Sequence, residues 1–152
     1  TSLQVAKILA ANTSLTFVTN GTDVLKALVD GGARNVHFIG GEYVDINHSC
    51  GGAMAAEQVR RFNVNKAILS VSSVDVKRQL ICTLSPQIGS VQQAMIEIAH
   101  DVIVVADHSK FDRTALSVID GLDSLDYIVT NAATRPMVAG LPDALKQKFI
   151  FA

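Results

Sequence analysis

The chain has 152 residues, with 13 Lys and Arg against 14 Asp and Glu, and it is 49% hydrophobic and 18% charged. That length suits one domain with a full hydrophobic core, and that balance excludes both a disordered chain and a broad basic face for nucleic acid. The nearest basic group, Arg60 and Arg61 with Lys66 beyond, is sparse and reads as a solvated helix end.

In chain order, the apolar residues of Leu3 to Ala10 recur at helical spacing directly after Thr1 and Ser2. Strand-like and helix-like runs then alternate, the pattern of a mostly parallel sheet flanked by helices. Leu15 to Thr19, Val36 to Ile39, Ala67 to Val71, Val102 to Ala106, Tyr127 to Thr130 and Phe149 to Phe151 are short, mostly continuous apolar runs. Such runs suit strands covered on both faces. Between them, Thr22 to Asp30, Gly52 to Phe62, Ser85 to His100 and Arg135 to Lys146 have helix-compatible periodicity, with turn or capping residues at Asn20-Gly21, Gly31-Gly32 and Asn131. The alternation at Tyr43 to Asn47 suits either an edge strand after Gly40-Gly41 or an irregular loop.

Cys50 and Cys82 are far apart and lack CxxC spacing, which supports neither a disulfide framework nor a zinc site and fits a reducing cytoplasm. His37, His48, His100 and His108 show no HExxH or comparable spacing, so no metal or other cofactor is expected. No apolar run reaches the ~20 residues of a membrane-spanning helix, and the expectation is a cytoplasmic protein without membrane contact.

Several strand-like runs end in small or polar residues: Thr19-Asn20-Gly21, Ile39-Gly40-Gly41, Ser70 to Ser73 and Ala106 to Lys110. In a parallel sheet these carboxyl ends share one edge, where loops distant in sequence converge on a crevice. The last segment is the most telling. A run of β-branched residues opens into Asp107-His108-Ser109-Lys110, bringing a carboxylate, a hydroxyl and a cation to that edge and pointing to a small anionic ligand. Glycines at Gly40 and Gly41 would allow close backbone approach, and Asn20 and Ser72 would add polar contacts.

Val18-Thr19-Asn20, Ile39-Gly40-Gly41, Gly51-Gly52, Lys66 to Leu69, Val91 to Ile96 and Ala106 to Phe111, in this order and spacing, resemble the carboxyl-terminal sensor domain of the DeoR family of bacterial transcriptional regulators. The Ala-Asp-x-Ser-Lys-Phe stretch and the Ala-Met-Ile helix carry most of the likeness. The resemblance implies a Rossmann-like domain similar to ribose-5-phosphate isomerase and glucosamine-6-phosphate deaminase, used for sensing a phosphorylated sugar or related metabolite rather than for catalysis. It also implies a homo-oligomer and a winged helix-turn-helix that reads an operator. On this reading residues 1–152 are one effector-sensing domain lacking that reader, cut within the phosphate-binding loop ahead of the first helix, so Thr1 and Ser2 would hold phosphate together with Lys110.

Three departures from the family pattern bear on the ligand. Ser72 stands where a carboxylate is usual after the central strand, Ile88 and Gln92 stand where the helix before Ala-Met-Ile carries glutamate and lysine, and Asp112 replaces a common glycine. The alternatives are a sugar-phosphate isomerase or deaminase with Asp107 as the base, and a depleted pocket that takes an uncharged metabolite or only assembles subunits.

Overall fold

The computed structural model describes residues 1–152. Its parallel strands form two separate sheets. In the smaller, β1 (Thr16–Thr19) pairs with β2 (Asn35–Phe38); in the larger, the order is β11 (Phe149–Phe151), β10 (Tyr127–Thr130), β8 (Ala99–Val105), β5 (Val64–Leu69). The remaining strands are antiparallel. A hairpin joins β3 (Glu42–Val44) to β4 (Ser49–Gly51), and β6 (Ser73–Asp75), β7 (Leu80–Thr83) and β9 (Ser117–Gly121) form a third sheet in that order.

Helices cover the array. Apolar faces of α1 (Ser2–Leu9) and α2 (Thr22–Asp30) meet at Ala6, Ala10 and Leu28, with Phe17 and Val36 of the small sheet packed against them. α3 (Ala53–Val59) and α4 (Pro86–Glu97) pack through Ala55, Ala56, Val59, Val91 and Ala94 onto Ile39 and Val18. α4 starts where Ser85 accepts the Ile88 N–H at 3.3 Å and Pro86 takes the first turn, whose N–H groups need no helical partner. α5 (Arg135–Val138) and α6 (Asp143–Lys146) flank the larger sheet, whose core of 16 buried residues runs from Leu69, Val102 and Val104 to Ile128 and Phe149.

The expected alternation is present, with differences at the ends. Helix 85–100 stops at Glu97, and Ala99 and His100 already belong to β8, because Val64 N–H bonds to the Ile98 carbonyl and draws the chain into the sheet. Helix 135–146 is two short helices, since Gly140 and Pro142 interrupt the hydrogen-bond ladder. Helix 52–62 is shorter, Ala53–Val59, and the central strand lies earlier, at Val64–Leu69. The segment after Gly40-Gly41 is a hairpin with a one-turn 3-10 helix at its tip. No helix is long and apolar enough to cross a membrane.

Candidate functional site

A cavity of about 650 Å³ lies between the two parallel sheets. Residues 15–21, around β1, and 63–70, around β5, form its walls; α1 contributes Leu3, Val5, Ala6 and Leu9, and α4 contributes Ile88, Gln92 and Met95. Its character changes along the strands. Its middle is apolar, and both ends carry polar groups: Ser2, Thr19, Asn20, Asp23, His48, Ser49, Ser70 and Gln92 toward the carboxyl ends, and Thr16, Asn63, Asn65 and Lys66 toward the amino ends.

Local structure fixes these groups. The Ser2 and Ser70 hydroxyl oxygens lie 3.4 Å apart, which places the start of α1 beside the end of β5. Asn20 donates from Nδ2 to the Cys50 carbonyl at 2.7 Å, and the Cys50 N–H returns to the Asn20 carbonyl, so the end of β1 is tied to β4. His48 Nδ1 meets Asp23 Oδ2 at 3.0 Å, and the Thr22 N–H and hydroxyl both donate to the His48 carbonyl at 2.9 Å. The hairpin is thus anchored to the first turn of α2 at the rim. Gln92, 8% exposed, donates from Nε2 to the Ser70 carbonyl at 2.8 Å, while its Oε1 is buried without a partner. A buried amide oxygen left unpaired costs about 1–3 kcal/mol, and this one is shielded from the open space of the cavity that the Gln92 side chain helps to wall.

Of the residues singled out from sequence, Ser2 and Asn20 line the cavity; Thr1 is the exposed cap residue of α1 and makes no side-chain capping bond. Gly40, Gly41, Ser72, Asp107 and Lys110 follow the carboxyl ends of β2, β5 and β8 without lining it. Gly40 is held by a reciprocal pair of bonds with the Gln58 amide, at 3.3 and 3.2 Å. Gly41 is required by packing: with φ +150, a Cβ there would lie 2.7 Å from the Gly51 carbonyl oxygen and 2.9 Å from Ala55 Cβ. Ser72 Oγ accepts the Leu84 N–H at 3.3 Å, and it is Ser70, two residues earlier, that reaches the cavity.

Asp107 caps the one-turn helix His108–Lys110 by accepting the Ser109 N–H at 2.8 Å. Hydrogen bonding from Ser109, helped by the charge of Lys110, holds its carboxyl below the usual carboxylate range. An exposed carboxylate so stabilised is a weak proton acceptor near neutral pH, the reverse of what a general base needs. His108 is turned toward the loop after β10, its N–H donating to Asn131 Oδ1 at 2.9 Å. Lys110 makes no ion pair. β8 lies one strand beyond β5, and the loop that carries Lys110 is tied to Asn131 after β10, on the side of β8 away from the cavity.

Residues 1–132 match the model of the DeoR C-terminal sensor domain. The chain belongs to that family. A transcriptional repressor of Agrobacterium fabrum, AccR, is 45% identical over all 152 residues, which span 59% of that protein. A putative aga operon transcriptional repressor of Escherichia coli O157:H7 is 26% identical over 86% of this chain and 48% of its own length, and the glycerol-3-phosphate regulon repressor of Escherichia coli K12 is 27% identical over 84% and 50%. The chain therefore spans about half to three fifths of these relatives, all of which are named as regulators rather than enzymes.

Within this DeoR sensor domain the departures acquire positions. Ile88 and Gln92 both face the cavity, so the exchange of charged for uncharged side chains falls on its wall. The one Lys or Arg among the lining residues is Lys66, which is paired with Asp101. Asp112 has φ 52, a left-handed conformation that explains why glycine suits this position and why aspartate, one of the residues that tolerates it, can replace it. Asp23 and His48 were not singled out from sequence as site residues, while Ser70 entered only as part of a polar strand end and Gln92 only as a departure from the family pattern.

Proposed function

We propose that this chain is the effector-sensing domain of a transcriptional repressor of carbohydrate metabolism, with a phosphorylated sugar or related metabolite bound at the carboxyl edge of the parallel strands. The observation that carries this reading is the convergence of Ser2, Asn20, Ser70 and Gln92 on one cavity in a DeoR sensor domain. Relatives named as repressors, one of a glycerol-3-phosphate regulon, give the class of signal.

In this mechanism the phosphate lies at Thr1 and Ser2, where the first N–H groups of α1 have no helical acceptor, and Lys110 supplies the countercharge from the loop after β8. Asn20, Gly40, Gly41, Ser72 and Asp107 surround the rest of the ligand, and Ser70 and Gln92 meet its hydroxyl groups. Binding changes no bond in the ligand. It favours one arrangement of a homo-oligomer by differential affinity and passes that shift to a winged helix-turn-helix elsewhere in the full protein, which holds operator DNA. The domain is a single unit whose architecture is Rossmann-like and akin to sugar-phosphate isomerases and deaminases, working in the cytoplasm without a cofactor.

The uncharged cavity wall at Ile88 and Gln92 favours a second reading, in which the ligand carries no phosphate. Thermal unfolding of the full-length protein against sugar phosphates and their unphosphorylated counterparts separates the two. Ligand at about a hundredfold over its Kd adds roughly 2.7 kcal/mol of stability, and the expected result is a shift by a phosphorylated sugar that Lys110→Ala removes. A shift by neutral sugars alone establishes the second reading and overturns the first.

A further inference from the structure

We infer that Asp23 and His48 are a specificity-determining pair at the mouth of the cavity, reading hydroxyl groups of the effector on the β1 side, across from the phosphate. The inference rests on the ligand reading given above and names the part of the ligand that the β1 wall selects.

The two walls differ in chemistry. On the β5 side the Ser2 and Ser70 hydroxyls, 3.4 Å apart, can each donate. On the β1 side the polar groups offer acceptors. Asp23 is the only carboxylate among the residues that line the cavity, and Asn20, whose Nδ2 is spent on the Cys50 carbonyl at 2.7 Å, keeps Oδ1 free. His48 Nδ1 lies 3.0 Å from Asp23 Oδ2. An ionised carboxylate only accepts, so Nδ1 carries the proton, and Nε2 is an acceptor in the neutral ring and a donor in the charged one. A sugar hydroxyl both donates and accepts, so it pairs with Nε2 in either state, while a neighbouring hydroxyl donates to the second Asp23 oxygen. A phosphate accepts only, and its charge is repelled by Asp23. Hydroxyl groups on adjacent carbons therefore suit this side, and the anionic group suits the other.

The local fold holds the pair in place. The Thr22 N–H and hydroxyl both donate to the His48 carbonyl at 2.9 Å, and Gly21 bridges to Ser49 across the same junction. These contacts keep His48 at φ 47, a left-handed conformation uncommon outside glycine. The side chains of His48 and Asp23 are 56% and 57% exposed, and an ion pair so open to solvent contributes little to stability. A residue kept in a costly conformation for a pair worth little to the fold points to what that pair faces, and both members face the cavity.

The experiment uses the full-length protein and a panel of triose, pentose and hexose phosphates with the corresponding free sugars, titrated by calorimetry. His48→Gly removes the ring where the backbone suits glycine, and Asp23→Ala removes a carboxylate from an exposed first helical turn, so both variants should fold with little change in Tm. For the compound that wild type binds most tightly, each variant should bind roughly tenfold or more weakly. Deoxy analogues of that compound, each lacking one hydroxyl, supply the second arm: for one of them the variants should cause no further loss, since the contact is already gone. Unchanged affinity in either variant overturns the pair and leaves the ligand reading standing, as does a loss that is equal for every deoxy analogue. Binding of free sugars alone, with the same loss in the variants, keeps the pair and overturns the phosphate in the reading. A wild type that binds no member of the panel overturns the reading and the pair together.

Discussion

Around β8 and β10 the chain buries one continuous cluster of 16 residues, with an antiparallel sheet closing over it through Val74, Ile81 and Ile119; around β1 and β2 it buries clusters of only six and three. The strands of the first half are also the more apolar, AHDVIVV and YIVT against TFVT and NVHF. Pairing differs as well: β8 has a partner on each side, whereas β1 has one and flanks a cavity. The comparison teaches that the cavity stands on the less supported half, where a bound ligand has the most to stabilise.

The sharpest way to break that comparison is to remove bulk from each half of the full-length protein. Ile128→Ala, at 1% exposure inside the large cluster, should cost about 2–5 kcal/mol by urea unfolding. Phe17→Ala, at a half-buried ring beside the cavity, should cost less, nearer ~1 kcal/mol. A loss at Phe17 as large as that at Ile128 would show that the β1 half is as tightly packed in the full protein as the β8 half.

A second test separates folding from sensing within the crevice. Gln92→Leu loses the bond to the Ser70 carbonyl but also removes the unpaired Oε1, so stability should fall by no more than about 1 kcal/mol. Affinity for the effector, followed by titration calorimetry, should fall tenfold or more, since the polar wall beside Ser70 becomes apolar. Equal effects on both would assign Gln92 to packing alone.

Much of the architecture was legible beforehand, because continuous apolar runs such as Val102 to Val105 have few homes other than a parallel sheet. The antiparallel sheet was not. Ser73 to Asp75 and Leu80 to Thr83 are three and four residues long, too short for periodicity to register, and Ser117 to Gly121 is held by pairing with β7 rather than by pattern. At the site, the strand-end rule located the edge and Asn20 on it, while Ser2 came in only through the family resemblance. The rule could not separate Ser70 from Ser72, because which hydroxyl reaches the cavity depends on where β5 lets go of β8. Gly41 was read as room for a ligand, whereas its neighbours are Gly51 and Ala55. The strand-end glycine signal is the same for both uses.

A smaller effect is expected at Asp112, in the better-packed half. Its φ of 52 carries a steric cost of about 1 kcal/mol or more for a residue with a Cβ, which Asp112→Gly relieves, while glycine adds roughly 0.5–1 kcal/mol of unfolded-state entropy. The net expectation is a gain of about 0.5 kcal/mol, read as a slight rise in Tm. A loss would show that the carboxylate itself holds the loop after Lys110.

The smallest contribution is electrostatic, and its sign follows from the groups involved. Asp101 is held below the ordinary carboxylate range by hydrogen bonds from Lys66 and then His100, and Glu97 by its bond from Arg60, with Arg60 Nε at 2.7 Å. A carboxyl whose folded pKa is depressed stabilises the fold above its unfolded value and loses that contribution as pH falls through the folded one. The window therefore lies in acid, beginning in the ordinary carboxylate range near pH ~4 and extending below it. Both pairs are solvent-exposed, so salt should screen them, whereas the hydrogen-bonded turn at Asp107 should be less sensitive. Arg60→Ala and Lys66→Ala should each flatten the acid limb of a Tm-against-pH profile slightly and make it less salt-dependent. The two pairs bear on different halves: Arg60–Glu97 ties α3 to α4 under the crevice, and Lys66–Asp101 ties β5 to β8. If only Arg60→Ala also weakens effector binding near neutral pH, the floor of the crevice is the responsive half; if both do, β5 is part of it.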